Sequence, residues 1–270
     1  MRSSRTGSAK GVMKVGEHKK MAKPEPCEFK NPVALVMTYN RLGFLSGVVD
    51  TFFETTEGVP LHVFDDGSDN PCKRLELQGM EDLVTVHKQE HKGLVGAWRE
   101  ALEFARKNLR DHDSLILLED DIRLGKGWLD VLKKMQTGIA DLGYLQGMTS
   151  CFRPHKEPQS PVVDLKGVKA YQSMAHGFQV NLMPMAVLDR MDVFEEAAVN
   201  VAASKSGKTL DVYWVGNLAH RLNRVSFVSM QSWVAHIGFE SIMLQQGLGA
   251  CRCAGFDLVP ELRKFESIWK

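Results

Sequence analysis

The chain has no uninterrupted apolar run near the roughly 20 residues that a helix needs to cross a bilayer, which argues against a helical membrane protein. It has five cysteines, at 27, 72, 151, 251 and 253, an odd number without framework spacing. That argues against a disulfide-stapled secreted scaffold. Cys251 and Cys253 stand too close for a zinc-ribbon pair, so all five read as free thiols of a reducing compartment. No apolar core of a secretory signal opens the chain, and the expected location is cytoplasmic. There is no internal repeat, no His-Glu-x-x-His zinc motif and no Gly-x-Ser-x-Gly nucleophile elbow. Residues 204–209 (Ser-Lys-Ser-Gly-Lys-Thr) end like a phosphate-binding loop, but Ala202 stands where the first glycine is required and no strand precedes it.

What is present is an ordinary globular composition: 270 residues, 44% hydrophobic and 25% charged, with a net charge of +1. That length suits one large domain. The charge is uneven. Residues 1–30 hold eight Lys/Arg against three Glu, and the rest of the chain is mildly acidic. The first 30 residues therefore read as a disordered basic leader, either a solvated tail or a contact for a polyanion. Residues 31–150 and 151–270 read as two halves of one domain.

From Pro32 onward, strands and helices alternate. Val33–Thr38 is a continuous apolar run, the pattern of a strand covered on both faces. Residues 42–54 have helical spacing. Leu61–Phe64 is a second strand ending in the turn Asp65-Asp66-Gly67-Ser68, and 83–86 is a third. Residues 93–109 form a strong helix, and Ser114–Leu118 is a fourth strand running into Glu119-Asp120-Asp121. This order predicts an α/β fold with a mostly parallel central sheet and helices on both faces. Further on, a helix is expected from Trp128 and residues 150–175 read as a long loop or lid. A strand is expected at 180–183, helices at 185–203 and 211–222, and late strands at 225–229 and 232–237.

In an open parallel sheet, ligands bind beyond the carboxyl ends of the strands, where both acidic clusters fall. Adjacent carboxylates at an apolar strand end repel one another unless a cation sits among them. Oxygen-rich ligands of this kind suit Mg²⁺ or Mn²⁺. The bland alternative is a solvated turn with an aspartate capping the next helix.

Four segments, in order, resemble the nucleotide-sugar glycosyltransferases of the GT-A fold, family 2 in particular: Val-Met-Thr-Tyr-Asn-Arg (36–41), Val-Phe-Asp-Asp-Gly-Ser-Asp-Asn (63–70), Lys-Gly-Leu-Val-Gly-Ala-Trp-Arg-Glu-Ala-Leu (92–102) and Leu-Leu-Glu-Asp-Asp-Ile (117–122). Glu-Asp-Asp stands at the family's metal-binding DXD position. The resemblance covers residues 33–125 and implies a Mn²⁺- or Mg²⁺-dependent enzyme that takes a nucleotide diphosphate sugar, a UDP-sugar first, as donor. It further implies that Thr38, Tyr39, Asn40 and Arg41 border the nucleotide base, and that Asp65 or Asp66 holds the base or ribose. Lys92 or Arg99 would face the diphosphate, Asp120 the sugar or ribose. Asp121, with Glu119, would bind the metal, with His236 as a third ligand where a purely structural histidine is the alternative. His176 would line the sugar pocket.

An inverting enzyme also needs a base for the acceptor hydroxyl. By resemblance that base is Asp211, for which an N-cap is the alternative; Asp192, Glu195 and Glu196 are weaker candidates. The acceptor is open among a glycan, a protein and a hydroxylated base in nucleic acid. A nucleotidyltransferase or a non-catalytic nucleotide-sugar-binding protein are the alternative readings. Thr-Tyr-Asn-Arg stands where a nucleotidyltransferase has a Gly-rich basic signature.

Overall fold

The computed structural model describes residues 29–69, 84–152, 160–173, 179–204 and 209–236. The elements are β1 (Pro32–Thr38), α1 (Leu42–Thr55), β2 (Leu61–Asp65), β3 (Val84–Lys88), α2 (Gly93–Asn108), β4 (Ser114–Glu119), β5 (Ile122–Leu124), α3 (Trp128–Asp141), β6 (Leu145–Ser150), β7 (Val162–Leu165), β8 (Val168–Gln172), β9 (Val180–Pro184), α4 (Met191–Ala203), α5 (Leu210–Leu222), β10 (Arg224–Ser229) and β11 (Val234–His236).

Nine strands form one sheet in the order β3-β2-β1-β4-β9-β6-β10-β8-β7. β3, β2, β1 and β4 are mutually parallel, as their alternation with helices predicts. Beyond β4 the sheet is mixed: β9 runs antiparallel to β4 and β6, while β10 is parallel to β6. Successive residues of β1 point to opposite faces. Val33, Leu35 and Met37 join Trp98 of α2, Phe194 of α4 and Trp214 of α5, while Ala34 and Val36 join Phe52 of α1 and Trp128 of α3. Each face thus has its own apolar core, so β1 from Pro32 to Met37 and β4 from Leu115 to Leu118 are continuous apolar runs. Phe29, inside the stretch read as leader, is buried in the α1/α3 core; residues 1–28 lie outside the described residues.

The stretch 150–175 is not one long loop. Its described part holds β7 and β8, an antiparallel hairpin that continues the sheet through β10. The alternation there is short and interrupted by polar residues, and the packing that selects a strand comes from α3. Gly138 of α3 lies so close to Leu165 that a Cβ would meet its backbone at 2.7 Å. β6 and β5 also go unsignalled by the sequence. β6 is paired with β9 at one position only, Thr149 with Leu182. The buried Gln136 of α3 completes the join by donating to the carbonyls of Gly147 (2.6 Å) and Leu182 (2.8 Å). The expected helix at 185–203 is instead a 3₁₀ segment, Met185–Arg190, followed by α4. The basic loop at 205–208, His176 and the last 34 residues lie outside the described residues. No helix among the described residues is long and apolar enough to cross a membrane.

Candidate active site

Because β1, β2 and β4 are parallel and in register, their carboxyl ends share one edge: Thr38 pairs with Asp65, and Met37 with Glu119. Two acidic turns therefore flank the end of β1.

In the first, Asp65 is buried, and its Oδ1 accepts from the Ser68 amide (3.0 Å) and hydroxyl (2.5 Å). Gly67, at φ 76°, lets the chain turn sharply here, and a Cβ on it would meet the His91 amide at 2.6 Å. Ser68 Oγ accepts from the Asn40 amide, and the Asn40 side chain donates to Asp69 Oδ2 and accepts from the Asp69 backbone N–H, which ties the 38–41 turn to this loop. Asp66 Oδ1 accepts from the Lys92 amide at 2.9 Å, and His91 Nδ1 lies 2.9 Å from Asp66 Oδ2. The His91 ring stacks on Tyr39, centroids 4.2 Å apart. Both rings are partly exposed to solvent, an aromatic surface beside the buried Asp66 carboxylate.

In the second turn, Thr38 Oγ1 donates to Asp120 Oδ2 (2.8 Å). Arg41 spans the pair, donating to Asp120 Oδ1 (2.8 Å) and Asp121 Oδ2 (2.7 Å). β5 follows at once and pairs with β11, setting His236 opposite Ile122. That brings His236 Nε2 to 3.2 Å from Asp121 Oδ2. Ligand atoms of Glu119, Asp121 and His236 all lie within 4.8 Å of one another.

The electrostatics are those of crowded acids in a dry setting. Burial, then repulsion from Asp121, Asp211 and Asp120, raises Glu119 well above the usual carboxylate range. Burial lifts Asp120 to about 7, against the pull of Arg41. Burial also opposes ionisation of Asp121, but His236 and Arg41 outweigh it and hold Asp121 below its ordinary value. Asp211 lies in the first turn of α5, whose N-cap is Thr209, so it is not the cap itself. Burial raises Asp211, opposed by hydrogen bonds from Thr209 and from the first-turn backbone. Its charge adds to the repulsion that raises Glu119.

The donor set fits a divalent ion. Asp121 Oδ1 is buried without a hydrogen-bond partner, a costly state that a cation would relieve. Two carboxylates and an imidazole can hold a divalent first-row ion such as Mn²⁺, whose usual ligands include carboxylate oxygens.

Two expected cations point elsewhere. The Lys92 ammonium pairs with Glu100, and the Arg99 guanidinium grips Glu195 through two bonds of 2.5 and 2.7 Å, joining α2 to α4. Asp192 and Glu196 pair with Arg190 and Arg221. What Lys92 brings to the site is its backbone N–H. The sequence reading missed His91 and Ser68. The signal for His91 was its position immediately before the Lys-Gly that opens α2.

No protein-family model matches the chain, and no characterised protein matches it by sequence. Solved structures do. The chain is similar to GalNAc-T7, solved with UDP, GalNAc and Mn²⁺, at TM-score 0.52 and 12% identity over 74% of this chain and 42% of that one. It is also similar to Staphylococcus aureus TarS (TM-score 0.49, 14% identity, 76% and 59% of the two chains). A third is the mannosyltransferase PcManGT from Pyrobaculum calidifontis, solved with GDP-Man and Mn²⁺ (TM-score 0.45, 18% identity, 60% and 46%). The chain has the GT-A fold, the fold of nucleotide-sugar glycosyltransferases. It spans about half the length of the solved chains it matches.

Proposed function

We propose that the protein is a metal-dependent glycosyltransferase, moving a sugar from a nucleoside diphosphate sugar to an acceptor hydroxyl with inversion. The observation that carries this reading is the meeting of Glu119, Asp121 and His236 at the carboxyl edge of a GT-A sheet, with one buried oxygen of Asp121 unpartnered. The presence of UDP and Mn²⁺ in GalNAc-T7 supports a uridine donor and manganese for this chain.

In this reading the exposed Tyr39–His91 surface takes the base, and Asp66 or Asp65 holds base or ribose. Asn40 and Ser68 fix the turn that borders them, and Asp120 faces the ribose or sugar. Glu119, Asp121 and His236 hold Mn²⁺, which when bound stabilises the negative charge left on the departing diphosphate. Asp211, made more basic by burial, takes the proton of the acceptor hydroxyl. The acceptor oxygen then forms a bond to the anomeric carbon on the face opposite the bond to phosphate, which breaks with its electron pair going to the diphosphate. The Lys92 and Arg99 side chains, held by Glu100 and Glu195, reach a diphosphate only by leaving those partners. The acceptor is a glycan, a protein or a hydroxylated base in nucleic acid, and the protein works in the cytoplasm.

The test is calorimetry with UDP, GDP and TDP, each with and without Mn²⁺, followed by donor hydrolysis with the matching sugars. Manganese-promoted uptake of one nucleotide is expected. No uptake of any of them, with either Mn²⁺ or Mg²⁺, overturns the reading.

A further inference from the structure

Arg41 is the cation that now meets the acidic cluster most directly. Its two terminal nitrogens bridge different carboxylates, Asp120 at 2.8 Å and Asp121 at 2.7 Å. Asp121 Oδ2 is shared between Arg41 and His236, while Oδ1 has no partner. An ion held by Glu119, Asp121 and His236 would share the Asp121 carboxylate with a guanidinium already seated on it. A dication and a guanidinium on one carboxylate repel strongly in a poorly hydrated site.

The mobility lies on the arginine's side. Asp120 and Asp121 side chains are 5% and 3% exposed, whereas that of Arg41 is 32% exposed. Arg41 is the residue before α1 and lies outside the helix, after a left-handed Asn40. Its guanidinium also lies over the face of Phe44, 4.8 Å from the ring centroid, while its backbone carbonyl accepts from the Phe44 and Leu45 amides. Asp120 keeps its bond from Thr38 when Arg41 leaves.

We propose that Arg41 is the built-in counterion of the acidic cluster: it neutralises Asp120 and Asp121 while no metal ion is bound, and a divalent ion binds in competition with it. The inference rests on Glu119, Asp121 and His236 being the metal ligands. It differs in sign from a simple brace. If Arg41 merely held the ligands in place, its loss would weaken metal binding. As a competitor, its loss strengthens it.

The experiment is titration of the full chain with MnCl₂ by calorimetry at fixed ionic strength, without nucleotide, for the parent, Arg41→Gln and Arg41→Lys. Arg41→Gln is expected to bind manganese about tenfold more tightly, the scale of ordinary coupling between sites, and Arg41→Lys to fall between. Without metal, Arg41→Gln melts below the parent, and saturating Mn²⁺ narrows that gap. Equal or weaker manganese binding by folded Arg41→Gln overturns the proposal while leaving the metal site standing. Should Arg41→Gln not fold, Arg41→Lys decides: tighter binding than the parent supports the proposal, and equal or weaker binding overturns it. A parent that takes up no manganese removes the metal-site reading and this proposal together.

Discussion

Asp121 and His236 stand 3.2 Å apart because Ile122 and His236 are partners in a two-stranded ladder separate from the main sheet. The ladder is short, three residues a side, yet it sets an imidazole against a carboxylate that arrives from the far end of β4. The main sheet supplies the acids, and the small one supplies the nitrogen.

Asp121→Ala tests whether that meeting point holds metal. Asp121 is one of several crowded acids, and its removal relieves repulsion on Glu119 while costing Arg41 one of two partners. These effects oppose each other, so Tm is expected within about 4 °C of the parent, as a change near 1 kcal/mol gives at this size. Manganese-promoted UDP binding and turnover are expected to vanish. Near-parental turnover would put the metal elsewhere.

Asp211→Asn isolates the proton transfer. A lost general base typically costs about 10² to 10⁴-fold in rate, so kcat is expected to fall by that much with UDP affinity unchanged. The pH dependence has a definite sign. The base works only when deprotonated, and burial raises its pKa, so at saturating metal and donor kcat falls on the acid side, beginning above the ordinary aspartate range. Parental kcat in the asparagine variant would remove Asp211 from the reaction.

The parallel half of the fold was legible because β1 and β4 are buried on both faces, β2 almost so, and each helix has one apolar side. The polar turns after β1, β2 and β4 were legible because polar clusters so abruptly ending apolar runs have few structural uses. The mixed half was not. β6, β7 and β8 are chosen by what packs on them: Gln136 bonding to β6 and β9, and the bare Gly138 surface against Leu165. Such partners are distant in sequence and leave no local periodicity. For the same reason Arg99 looked available for a diphosphate. Glu195 lies 96 residues from Arg99, and nothing near Arg99 announces it.

Gly138→Ala tests the tertiary origin of the β7–β8 hairpin. In an exposed helix interior the change gains up to about 1 kcal/mol. Here the new methyl would press on the Leu165 backbone at 2.7 Å, and overpacking of this kind costs about 1–3 kcal/mol. The urea midpoint is therefore expected to fall. A rise would mean that the hairpin yields without cost and is only loosely attached to α3.

The sheet edge at β2 and β3 carries a second titrating feature, distant in kind from catalysis. His62 Nδ1 lies 2.9 Å from His87 Nε2, and both rings pack with Phe104 of α2. Burial, then the charges of His87 and His112, lowers His62 from its ordinary 6.5 to about 4. The folded state thus prefers the neutral ring, and below pH 6.5 the unfolded chain binds the proton first. Stability from this pair is full above pH 6.5, declines as pH falls toward about 4, and is level below that. Between pH 7 and pH 5 the urea midpoint is expected to drop. In His62→Phe, which keeps an aromatic ring in the cluster but cannot ionise, the drop is expected to shrink, leaving the smaller part due to His87, whose pKa burial also lowers. An equal drop in both proteins would assign the acid sensitivity to other groups.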